Sequence, residues 1–121
     1  MKKGGMEESM KCVLITAIGS FSADIAIKTA KQMGWRVVGC DIYPKEYIAD
    51  AANVHVFYQA PLAKEETNYV QFLVKTIQKE KVDYLVPLTD YEIDVLNRHR
   101  MEIEKAGAVL CISGQETIAI C

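Results

Sequence analysis

Apolar positions along the chain change their period several times, and each change marks an element. Cys12, Val13, Leu14 and Ile15 form an unbroken apolar run. A strand without polar alternation is covered on both faces, as in a parallel sheet. The first strand is therefore predicted over Lys11 to Thr16. Gly19 and Ser20 follow as a small-residue turn, and Ser22 is placed to cap a helix starting at Ala23. That helix is predicted to run to Met33, with Ile25, Ala26, Ala30 and Met33 inward and Lys28, Lys31 and Gln32 in water. Gly34 ends it.

The alternation then repeats. Trp35 to Asp41 reads as a second strand, with Val37, Val38 and Cys40 inside. Pro44 breaks the chain, and a short weak helix is expected through Glu46 to Ala52. His55 to Gln59 is rich in β-branched and aromatic residues and reads as a third strand. Thr67 to Lys79 is an amphipathic helix with Val70, Leu73, Val74 and Ile77 on one stripe. A fourth strand is predicted over Asp83 to Leu88, with Pro87 at its carboxyl end, where a missing amide costs little. Thr89-Asp90-Tyr91-Glu92 has capping-box spacing: the Thr89 hydroxyl can accept from the Glu92 amide, and the Glu92 carboxylate can reach back to the Thr89 amide. One helix is expected from there to about Lys105, with Ile93, Leu96 and Ile103 inward, stopped by Gly107. Ala108 to Ile112 is the fifth strand. Ser113 to Glu116 is a second capping box, opening a helix through Ile118 and Ile120. The Gly- and Glu-rich start, 1–10, lacks periodicity and reads as a disordered leader before one domain over 11–121.

Regular strand–helix alternation with short linkers predicts an α/β fold: a three-layer, Rossmann-like parallel sheet of about five strands with helices on both faces. The expected order is 3-2-1-4, with the fifth strand at the edge. Strand order then reverses between strands one and four, and ligands of open α/β sheets sit at such a switch point. Gly19, Ser20, Thr89 and Asp90 are expected to face that crevice, with Asp41 at its rim.

Composition narrows the function classes. A net charge of −2 over 121 residues gives no basic surface for nucleic acid or an anionic membrane. No apolar run reaches the roughly 20 residues of a membrane span, and the start lacks the apolar core of a signal peptide. Cys12, Cys40, Cys111 and Cys121 lack metal-ligand spacing, and the first three fall in apolar strands. They read as small buried hydrophobes in a reducing cytoplasm; a zinc site or a catalytic thiol is the alternative.

Candidate chemistry centres on the two predicted loops. A dinucleotide fingerprint needs three spaced glycines, and Ala17-Ile18-Gly19-Ser20-Phe21-Ser22 has one. Asp41 nevertheless sits where a ribose-binding acid would, so it is either a loop organiser or a ligand contact. Capping explains Thr89 and Glu92. It explains Asp90 less well, which makes Asp90 the leading polar candidate for a ligand contact. A phospho-receiver domain would need acids where this chain has Thr16-Ala17 and Gln59-Ala60. His55 and His99 show no acid or nucleophile partner in the sequence and read as structural or surface residues.

Taken together, Val13-Leu14-Ile15-Thr16 with its Gly19-Ser20 turn, Val38-Gly39-Cys40-Asp41-Ile42, Asp83 through Glu92, Gly107-Ala108-Val109-Leu110 and Ser113 through Cys121 resemble a known family in order and spacing. The chain is similar to the N-terminal pre-ATP-grasp domain of carbamoyl-phosphate-synthase-like ATP-grasp proteins. The resemblance implies the substrate-side domain of an ATP-dependent carboxylate–amine or thiol-type ligase, not catalytic alone. It implies ATP and Mg in the full-length protein, bound mainly by downstream domains, with nothing tightly bound here. Implied partners are the protein's own downstream ATP-grasp domain and a small-molecule carboxylate or amine; nucleic acid and membrane are not expected. A homodimer through an exposed sheet edge or docking face is a further expectation. By the same resemblance Gly19, Ser20, Asp41, Thr89, Asp90 and Glu92 would contact substrate, and the short final helix implies a chain cut before the ATP-grasp domain. The alternative is a free-standing Rossmann-like nucleotide or NAD(P)-binding module.

Overall fold

A computed structural model describes residues 10–20 and 22–111. Five strands form one sheet: β1 Cys12–Ile15, β2 Arg36–Asp41, β3 Val56–Gln59, β4 Tyr84–Val86 and β5 Val109–Leu110. Their order is β3-β2-β1-β4-β5, and every neighbouring pair is parallel. This is the expected order, with the fifth strand at the edge. β1 lies at the centre, with Leu14 opposite Val38 of β2 and Leu85 of β4.

Among the described residues four helices cover the sheet: α1 Ala23–Gln32, α2 Glu66–Glu80, α3 Asp90–Arg98 and α4 Arg100–Ala106. Successive side chains of a strand point to opposite faces. Cys12 and Leu14 therefore pack with Tyr69, Leu73, Val95, Leu96 and Ile103 of α2, α3 and α4. Val13 and Ile15 pack with Ala23, Ile27 and Ala30 of α1. Both faces of β1 are dry, which accounts for its unbroken apolar sequence.

Several local expectations change. The inner stripe of α1 is Ala23, Ile27 and Ala30, while Ile25 and Met33 are 59% and 45% exposed. Both sets satisfy helical spacing, and only the position of the sheet selects between them. Ser22 occupies the N-cap position of α1 without making a side-chain cap bond. The weak helix after Pro44 is two 3-10 turns, Lys45–Tyr47 and Ala49–Asn53. Cys12 and Cys40 are buried free thiols. Cys111 is buried as well, packed in the core that faces α1. The leader over 1–9 and the capping box and helix after Ile112 lie outside the described residues.

The helix predicted from Asp90 to Lys105 is broken at His99, whose φ of −115° and ψ of 24° end α3 and start α4. The Leu96-to-Ile103 spacing of seven residues continues one apolar stripe across the break, so periodicity conceals it. The His99 ring does have acid partners, contrary to its sequence reading. Nδ1 is 2.5 Å from Glu102 Oε1, and Nε2 is 2.6 Å from Glu66 Oε2. Both nitrogens can donate only in the imidazolium. The Glu102 carboxylate, followed by Glu66, raises the His99 pKa above its ordinary value. This clamp ties the start of α2 to the α3–α4 corner.

A histidine pKa raised by folding contributes stability that is complete below the unfolded value and fades as pH rises through the folded one. His99→Gln is therefore expected to lower the melting temperature by about 3 °C near pH ~5.5, and by under about 1 °C near pH ~9. Thermal melts of both proteins at the two pH values check this. An equal loss at both would assign His99 a role through shape alone.

Candidate functional site

The carboxyl ends of β1, β2 and β4 open onto a cavity of about 370 Å³ at the point where strand order reverses. Its floor and walls include Ala17, Ser20, Cys40, Asp41, Thr89 and Glu92, and its mouth includes Ile42, Tyr43, Leu62, Lys64 and Tyr91. Of the six residues expected at a site, Ser20, Asp41, Thr89 and Glu92 line the cavity. Gly19 is exposed and is not among the lining residues; its Cα faces Asp41 and Ile48. Asp90 is exposed on the first turn of α3 and is not among the lining residues.

The first loop is closed on itself. Thr16 N–H donates to Val86 O of β4, and two residues later Ile18 N–H donates to Cys40 O of β2, both at 3.1 Å. Reaching two different strands from positions two residues apart turns the backbone left-handed at Ala17, where φ is +50°. Such a conformation costs a residue with a Cβ about 1–2 kcal/mol. Gly19 N–H then donates to Asp41 Oδ2 at 2.8 Å, and Ser20 N–H to Ala17 O at 2.9 Å. Three successive amides are thus consumed inside the protein.

Asp41 is the loop organiser. Its Oδ2 holds Gly19, and its Oδ1 accepts from Tyr43 N–H at 3.1 Å. A Cβ on Gly19 would stand 3.0 Å from Asp41 Oδ2 and 2.9 Å from Ile48 Cδ1. The glycine is required by this close approach, and no phosphate is needed to explain it.

Glu92 is buried and anchors the other wall. As expected, the Thr89 hydroxyl accepts from the Glu92 amide, at 3.3 Å. The carboxylate takes a different course from the reciprocal capping bond. Its Oε1 accepts from Thr16 Oγ1 at 2.8 Å and Thr89 Oγ1 at 3.1 Å, and its Oε2 accepts from Tyr69 OH at 2.8 Å. Burial first, and then the Glu92 charge, push the Tyr69 hydroxyl pKa upward. Burial also raises the Cys40 thiol, with the charges of Glu92 and Asp41 adding to it. A thiol held protonated is a poor nucleophile.

Thr16 and Tyr69 were missed as site residues. Each carries a faint signal: Thr16 ends an apolar strand with a polar group, and Tyr69 stands four residues before Leu73 on the buried stripe of α2. Among the described residues no group of three or more His, Cys, Asp or Glu could hold a metal. Among them, too, no helix is long and apolar enough to cross a membrane.

These features define a Rossmann-like α/β domain with a switch-point crevice. A family model described as the PylC-like N-terminal domain matches residues 13–112. The chain belongs to that family, a pre-ATP-grasp domain, so the resemblance read from its motifs stands and PylC-like is the family shown. No curated protein matches it. Among solved structures it is similar to the PbgP3 protein of Burkholderia pseudomallei, with 16% identity and a TM-score of 0.61 over 85% of this chain and 34% of that one. It is also similar to dTDP-glucose 4,6-dehydratase of Bacillus anthracis in complex with NAD (13% identity, TM-score 0.58, 84% of this chain and 36% of that one). A third is the urea carboxylase of Kluyveromyces lactis (21% identity, TM-score 0.57, 78% of this chain and 9% of that one). The chain spans about a third or less of these proteins, and at such identities the likeness shows the fold alone.

Two sets of variants test the loops by urea unfolding. Gly19→Ala is expected to destabilise by about 1–3 kcal/mol through the clash with Asp41 and Ile48, whereas Ala17→Gly stabilises by about 0.5–1 kcal/mol by relieving the left-handed turn. Tyr69→Phe, which leaves Glu92 Oε2 without its donor, is expected to cost about 1–3 kcal/mol. A neutral Tyr69→Phe would show that water replaces the hydroxyl.

Proposed function

We propose that this chain is the substrate-side domain of an ATP-dependent ligase of the carboxylate–amine or thiol type, with no catalysis of its own. In such a ligase a carboxylate attacks the γ-phosphate of ATP, giving an acyl phosphate and ADP. An amine or thiol then displaces inorganic phosphate. ATP and Mg would be bound mainly by an ATP-grasp domain following this one in the same protein. The crevice at Ser20, Asp41, Thr89 and Glu92 would form one wall of the substrate pocket, and the protein would act in the cytoplasm.

The observation that carries this reading is the family match over 13–112. It is supported by the urea carboxylase neighbour, itself an ATP-grasp protein. The first loop weighs against the dinucleotide-module alternative. Pyrophosphate binding at a Rossmann turn uses free loop amides and a close backbone approach. Here the amides of Ile18, Gly19 and Ser20 are bonded internally, and Asp41 faces that loop.

Calorimetry of the 121-residue chain with Mg-ATP and with NAD separates the two readings. Neither is expected to bind with a Kd below about 1 mM. NAD binding in the low micromolar range would overturn the ligase reading. A longer protein with an ATP-grasp domain after Cys121 is expected to release ADP and phosphate only when both carboxylate and nucleophile are supplied.

A further inference from the structure

The crevice carries more acid than base. Asp41 and Glu92 both line it, and neither takes part in an ion pair among the described residues. Their oxygens are held by amides and hydroxyls, which orient the charge without cancelling it. Among the described residues the only cation lining the cavity, Lys64, is exposed at the mouth, where water screens it. Cys40, also in the lining, responds to that negative field as well as to burial.

Two further features point to what would occupy this space. The Ser20 Oγ is buried and has no hydrogen-bond partner among the described residues, an uncommon state for a polar atom. Around the mouth Tyr43 and Tyr91 are 57% and 54% exposed, and Leu62 stands with them. A carboxylate or phosphate entering here would meet like charge and find the Ile18, Gly19 and Ser20 amides already bonded. An ammonium would meet attraction from both acids, an acceptor in Ser20 Oγ, and tyrosine faces suited to a cation and its apolar body.

We infer that this crevice binds the amine partner of the ligation, a primary amine on an apolar or aromatic body, and excludes the carboxylate that ATP activates. The role of the amine as nucleophile rests on the ligase reading. The charge preference rests on the crevice alone.

The test is a titration of the 121-residue chain, followed by backbone amide NMR shifts, with phenethylamine, phenylacetate and inorganic phosphate. Phenethylamine is expected to shift the amides of Tyr43, Thr89 and Tyr91. Phenylacetate, with the same ring and the opposite charge, binds about tenfold more weakly or worse. Phosphate leaves those amides unmoved. Ser20→Ala weakens the amine about threefold, and Lys64→Gln strengthens it about twofold by removing a repulsion. Both substitutions are small and lie at partly buried or exposed positions, so the fold is retained. Phenylacetate or phosphate binding as tightly as the amine overturns the inference, as does an amine that leaves those amides unshifted. If the amine binds but the longer protein forms no product from ATP, the ligase reading fails and the site stands. If product forms without amine binding here, the site fails and the ligase reading stands.

Discussion

The structure depends most on the buried Glu92 carboxylate. A charge removed from water must be held by donors, because an unpaired buried carboxylate costs several kcal/mol. Three hydroxyls hold this one: Thr16 at the end of β1, Thr89 at the N-cap of α3 after β4, and Tyr69 on α2. These three elements come from distant parts of the chain and meet only at the switch point. One side chain thus closes the first turn of α3 and fixes the floor of the cavity. It also leaves a negative charge beside the crevice that no ion pair among the described residues neutralises.

Asp41 does the corresponding work on the other side. It draws the Gly19 amide in from the first loop and fixes the entry to the next segment through Tyr43 N–H. With Ala17 turned left-handed between β4 and β2, the loop directs its donors inward. A Rossmann turn that presents amides outward suits phosphates; this one, at the same place in the fold, turns them inward. The same topology therefore supports different chemistry, decided by where a few amides point. That is why likeness to an NAD-bound dehydratase and to a carboxylase can coexist in one small domain.

Much of the fold was legible because it rests on period and punctuation. The unbroken apolar run of β1, the stripe of α2 and the breaks at Gly34, Pro44 and Gly107 each have a local cause. Alternation then restricts topology to a parallel sheet, and the order β3-β2-β1-β4-β5 follows. Periodicity failed where two faces satisfied it equally, at Ile25 against Ile27. It failed again where a stripe ran unbroken through a backbone corner, at His99. In both cases the deciding contacts come from elements remote in sequence.

The site divides along the same line. The sequence by itself determined which loops meet at the switch point and that Ser20, Thr89 and Asp41 would stand there, because topology follows from local patterning; Glu92 was placed there by resemblance alone. Only the tertiary structure decided what those groups do. It turned the Glu92 carboxylate from a reciprocal cap to Thr16 and Tyr69, committed both Asp41 oxygens to loop amides, and left Asp90 outside the cavity. Hydrogen-bond partners are chosen by distance in space. Thr16 and Glu92 lie 76 residues apart, beyond the reach of any local pattern.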